Sequence, residues 1–114
     1  MRNYNVTKKE YMDYLCVLRN NVFKILPLYE ENNEYLEMYI CDSINRLIYL
    51  KEIVSELDNG FWYIEICCEL ENLYDLISTI KHSDLRRRIL YMTNLITNEI
   101  NECESRWLIV IRCF

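Results

Sequence analysis

Apolar residues recur along most of this chain at steps of three and four, the pitch at which one face of an α-helix repeats. The clearest run is 35–57, YLEMYICDSINRLIYLKEIVSEL. In it Leu36, Ile40, Ser43, Leu47, Leu50, Val54 and Leu57 fall on one line, and all but Ser43 are apolar. Ile44, Ile48 and Ile53 widen that line, so the helix is expected to touch neighbours on more than one side, as the central member of the fold.

The flanking segments read as helices recruited to cover it. Thr7-Lys8-Lys9-Glu10 has the capping-box pattern, with Val6 and Tyr11 at the two staple positions, which starts a first helix at Lys8. Its apolar positions are read as Met12, Leu15, Cys16, Val22, Phe23 and Leu26, and Pro27 is expected to end it, because proline lacks the N–H the helix needs. After an acidic connection the second helix begins, and Asp58-Asn59-Gly60-Phe61 supplies its expected left-handed stop. A third helix is predicted from Trp62 to about Lys81 on Tyr63, Ile66, Leu70, Leu73, Ile77 and Ile80. Ser83 is the expected cap of a fourth, beginning at Asp84, whose line is Leu85, Ile89, Met92, Ile96, Ile100 and Cys103. Trp107, Val110 and Phe114 continue that line, as the same helix or as a short fifth one after a break at Ser105; a buried strand over WLIVI is the rival reading. The expected fold is therefore all-α, a single-domain antiparallel four-helix bundle over 1–114 with room for a short fifth helix at the C-terminus.

Composition changes this picture little. A chain of 114 residues, 52% hydrophobic and 27% charged, is large enough to bury one core and too apolar to be disordered. It contains no alanine or glutamine and one glycine, a bias expected of an AT-rich genome such as a low-GC bacterium, its phage or plasmid, or a large DNA virus. The opening MRNYNVTKKE has no apolar stretch of a secretory signal, and the longest apolar run, Trp107 to Ile111, is far short of a bilayer span, so a cytoplasmic chain without membrane contact is expected. In that reducing compartment Cys16, Cys41, Cys67, Cys68, Cys103 and Cys113 are read as free thiols. A net charge of −5 weighs against direct nucleic-acid binding.

Candidate chemistry is thin. Cys67 and Cys68 are adjacent, so on a helix they point about 100° apart and cannot chelate one ion as a CxxC pair does. His82 is the lone histidine, read as a residue at the C-terminal end of the third helix where its charge suits the dipole. One glycine rules out a glycine-rich phosphate loop. No catalytic residue, metal ligand or cofactor is expected, and the chain is read as a non-enzyme.

Charge and aromatic patterning point instead to binding. Glu30, Glu31, Glu34 and Glu37 crowd the start of the second helix, and Glu65 and Glu69 mark an acidic outer face on the third, together with Glu71. Arg86, Arg87 and Arg88 stand in the first turn of the fourth helix, against the dipole, and make sense only opposite an acidic surface, within this fold or on a partner. Ten tyrosines with Trp62 and Trp107 exceed what one small core can absorb, and exposed Tyr, Trp and Arg anchor protein interfaces. The expected function is a non-enzymatic inhibitor acting by stoichiometric binding to a host protein, by analogy an anti-CRISPR-like antagonist of host defence from a phage, virus or mobile element. The expected contact residues are Glu30, Glu31, Glu34, Glu37, Glu65, Glu69, Arg86, Arg87, Arg88 and Trp107. The alternatives are a toxin-neutralising immunity protein and a homodimer held by the apolar tail 107–114.

Overall fold

The computed structural model describes residues 8–57 and 61–112, with side chains over 9–49 and 62–102. All secondary structure among them is helical: α1 Lys8–Glu30, α2 Leu36–Leu57, α3 Phe61–Leu76 and α4 His82–Arg112. Each helix packs against its neighbour in sequence, and α1 closes the ring by packing on α4, the most extensive seam. Paired side chains run in opposite sequence directions across the seams. On α1 and α4, Tyr11 meets Glu99 and Tyr29 meets the Ile80–His82 turn; on α1 and α2, Tyr14 meets Tyr49 and Asn21 meets Asp42. Neighbouring helices are thus antiparallel along these seams.

The core follows four-three steps on every helix. It is built from Tyr11, Leu15, Leu18, Val22 and Ile25 on α1, Ile40 and Leu47 on α2, Ile66, Leu70 and Leu73 on α3, and Leu85, Ile89, Met92 and Ile96 on α4. Such spacing keeps one seam facing inward along the whole helix. On α2, α3 and α4 these are the residues the sequence pattern selects. On α1 the line is rotated: Tyr11, Leu18 and Ile25 are buried, whereas Phe23, expected inside, is exposed, and Met12 and Leu26 only flank the core. The α2 helix is not the central member expected of it. It has seams with α1 and α3 and touches α4 only slightly, and Ile48, expected to reach another neighbour, is exposed. Ser43, the one polar residue on its line, is buried with its hydroxyl donating to the Tyr39 carbonyl at 2.9 Å, which satisfies it.

Three element ends differ from expectation, each for a local reason. Pro27 does not stop α1. It lies on the exposed side, where the carbonyl that its missing N–H leaves unpaired can meet water, and the helix continues to Glu30. The stop comes at Asn32, whose φ of 52° is left-handed. The Asn33 N–H donates to the Leu28 carbonyl at 2.9 Å and the Asn32 N–H to Tyr29 at 3.1 Å, a Schellman closure. Asn33 then turns the chain into α2, its side-chain oxygen accepting from the Tyr35 N–H at 2.8 Å. The α3 helix ends at Leu76, short of Lys81, where the Leu76 carbonyl accepts from the N–H groups of Thr79 and Ile80 and from the Thr79 hydroxyl. Ile77 stays buried and Ile80 half-buried, so the apolar line outlasts the helix that carries it. The α4 helix begins at His82 rather than Asp84, with the Leu85 N–H donating to the Lys81 carbonyl, so Ser83 sits inside the first turn instead of capping it.

The backbone of α4 is one helix to Arg112, without a break at Ser105 and without a strand over WLIVI. The side chains of its last turns, where a short fifth helix was expected and where Trp107 lies, are outside the described residues, as are the capping-box Thr7, the Gly60 turn, and the side chains of Leu50, Val54 and Leu57.

Candidate protein-interaction surfaces

The acidic and basic residues singled out by sequence fall in two places. Glu30, Glu31, Glu34 and Glu37 are exposed around the α1–α2 turn. Glu30 is not left to a partner alone: its carboxylate lies 3.4 Å from Nε2 of His82, which also sits against Tyr29. His82 therefore opens α4 and braces the end of α1, rather than finishing a third helix. Glu65 and Glu69 lie on the side of α3 that faces α4, where Glu69 meets Arg88 and Glu65 meets Tyr91. Arg88 donates to Glu69 at 3.3 Å across the seam, Arg87 donates to Asp84 at 3.1 Å within α4, and Arg86 is exposed. The out-of-place arginines thus have an acidic surface opposite them in this fold, at least for Arg88.

Tyr91 completes that seam. Its hydroxyl donates to Glu65 at 2.5 Å, and this bond, with slight desolvation at the seam and the negative charge of Glu65 and Glu69 acting the same way, raises the phenol above its ordinary value near 10. The sign is fixed by the donor: only the neutral phenol can make the bond, so its contribution is complete below the unfolded value and is lost as pH climbs through the folded one. In an ultraviolet titration of the tyrosines, Tyr91→Phe is expected to remove a component that ionises above the ordinary tyrosine value. Glu65→Gln should bring that component back toward the ordinary value. A Tyr91 that titrates like the free amino acid would show that the bond does not form in solution.

A third surface was not read from sequence. Between α2 and α3, Leu47 and Ile48 face Tyr63, Ile64, Cys67, Cys68 and Glu71 around a cleft of about 240 Å³. Ile48 is 56% exposed and Ile64 47%. Cys67 is half-buried with its thiol directed at Glu71, 3.6 Å away, and Cys68 is exposed, as its place among Glu65, Glu69 and Asn72 implied. Among the described residues no group of His, Cys, Asp and Glu is placed to hold a metal ion, and no described helix is long and apolar enough to cross a membrane.

The tyrosines divide as their number required. Tyr11 is buried and Tyr14, Tyr29, Tyr39 and Tyr63 are half-buried, while Tyr35, Tyr49, Tyr74 and Tyr91 are exposed. Met38 stands with Tyr35 among the glutamates of the α1–α2 turn, also exposed. Trp107 lies outside the described side chains. Comparison with family models, with curated proteins and with solved structures returned no match for the chain.

Proposed function

We propose that this chain is an antiparallel four-helix bundle that acts as a non-enzymatic inhibitor, occupying a protein partner in a stoichiometric complex, with the α2–α3 side as its acidic contact face. The observation that carries this reading is the uneven placement of charge. The α3 helix has no Lys or Arg and holds Glu71 and Asp75 on that side, its other carboxylates, Glu65 and Glu69, being turned to Tyr91 and Arg88 of α4. The α2 helix has four carboxylates, Glu37, Asp42, Glu52 and Glu56, against two cations, Lys51 and Arg46, and Arg46 is tied to Asp42 at 2.9 Å. Exposed apolar and aromatic side chains, Met38, Ile48, Ile64 and Tyr74, share that side with the carboxylates. A surface of one sign steers an oppositely charged partner and rejects like-charged ones, while exposed apolar groups supply the desolvation that holds a complex together.

The setting proposed is antagonism of host defence by a phage, virus or mobile element, in which an acidic helical surface covers a site on a host protein that otherwise engages nucleic acid. This rests on size, charge and residue usage, and it is an argument by analogy. The purified chain, mixed with host lysate, should leave a size-exclusion column in a stoichiometric complex at low salt that dissociates as salt is raised. Glu71→Lys and Asp75→Lys should weaken the complex while Asp13→Lys, on α1, does not. A complex indifferent to salt and to both α3 substitutions would overturn the acidic-face reading.

A further inference from the structure

We propose that the α2–α3 groove receives a basic amphipathic helix of the partner protein, its apolar side entering between Ile48 and Ile64 and its Lys and Arg residues meeting Glu37, Glu71 and Asp75. The inference rests on the reading of the α2–α3 side as the contact face and names the chemistry that face would take.

The groove has the form such an occupant needs. On α3 the cleft is edged by Ile64, Cys68 and Glu71, and Asp75 continues that line, at steps of four, three and four; on α2 it is edged by Ile48, and Cys41 and Glu37 continue that line, at steps of seven and four, all of them exposed. Two antiparallel helices with such lips make a trough along their own axes, and the ligand that fills a trough between helices is another helix, presenting apolar anchors at three- and four-residue steps. The floor is apolar, with Leu47 buried and Tyr63 half-buried.

Charge then fixes the kind of helix. Because α2 and α3 are antiparallel neighbours joined near residues 58–60, Ile48 lies toward the Ile64 end, and Glu37 toward the Asp75 end. Among the described residues the trough is therefore apolar toward Ile48 and Ile64 and acidic toward Glu37 and Asp75. The other seams are already bridged by their own side chains: Tyr11 to Glu99 and Arg19 to Thr97 on α1–α4, Asn21 to Asp42 on α1–α2, Arg88 to Glu69 on α3–α4. An acidic or neutral helix would set carboxylates or unpaired polar groups against Glu37, Glu71 and Asp75, and phosphate backbones are repelled on the same ground.

The test uses the full chain and a fluorescein-labelled Leu/Lys amphipathic peptide of roughly 18 residues, about 27 Å long when helical. Its controls are the matching Leu/Glu peptide and a Leu/Lys peptide interrupted by two prolines. Anisotropy should show saturable binding of the Leu/Lys helix alone. At saturation, alkylation of Cys68 by iodoacetamide, followed by mass spectrometry, should slow about tenfold, while that of Cys16 on α1 is unchanged. Ile64→Asn and Glu71→Lys should each weaken binding about tenfold and Asp13→Lys less than about twofold, with circular dichroism showing each variant still helical; tenfold corresponds to about 1.4 kcal/mol. Absent binding, equal binding of the proline-interrupted peptide, an equal loss with Asp13→Lys, or unprotected Cys68 would overturn the proposal. If the lysate complex survives Ile64→Asn yet is lost with Glu71→Lys, the groove inference fails while the acidic-face reading stands.

Discussion

Leu18→Ala is expected to lower the unfolding free energy by about 2 to 5 kcal/mol, while Phe23→Ala shifts it by no more than about 0.5 kcal/mol. The contrast is large because the two residues exchange the roles that the apolar pattern alone assigns them. Leu18 is fully buried between Leu15 and Val22 on the inward line of α1, so truncation removes its transfer free energy and leaves a cavity in the seam with α4 and α2. Phe23 is 46% exposed, so much of its ring already meets water and no closed cavity forms when it is cut back. Urea unfolding followed by circular dichroism measures both, and equal midpoints for the two variants would mean that α1 is turned the other way about its axis.

That rotation shows where the sequence is informative and where it is ambiguous. On α3 and α4 the inward line is the longest apolar run at steps of three and four, and Ile66, Leu70, Leu73, Leu85, Ile89, Met92 and Ile96 are all buried as their spacing implies. On α1 the apolar residues form two adjacent lines about one position apart, one through Tyr11, Leu18 and Ile25 and one through Met12, Phe23 and Leu26. Tyrosine at position 11 made the true line look the more polar. The polar cluster at 86–88 was legible in kind, because arginines set against the helix dipole ask for carboxylates opposite, and Arg88 finds Glu69. The α2–α3 groove was not legible. Ile48 and Ile64 flank apolar lines, and whether a flank is covered depends on how two helices are rotated toward each other, which no single helix encodes.

The same rotation places a carboxylate in the core, and with it the second large effect. Counting four, three, four and three from Leu85 leads through Ile89, Met92 and Ile96 to Glu99, not to Ile100, and Glu99 is 3% exposed. Tyr11, at the matching place on α1, is buried as well, and its hydroxyl donates to Glu99 Oε2 at 2.6 Å. A hydrogen bond between a phenol and a carboxylate out of water contributes modestly when made, but removing only the donor takes away one of the groups that replace water around the buried acceptor. Tyr11→Phe, which keeps the ring and deletes the hydroxyl, is therefore expected to cost about 1 to 3 kcal/mol, far more than the loss of one oxygen atom's packing. Combined with Glu99→Leu, the same substitution should cost much less, because no carboxylate is then waiting for the missing donor. A double-mutant cycle in urea isolates that difference as a coupling energy. A coupling near zero would mean that Tyr11 and Glu99 are held by their other neighbours and not by each other. A large one would identify this pair as the contact that fixes the register of α1 on α4, since any slide of one helix along the other parts the phenol from its acceptor within the core.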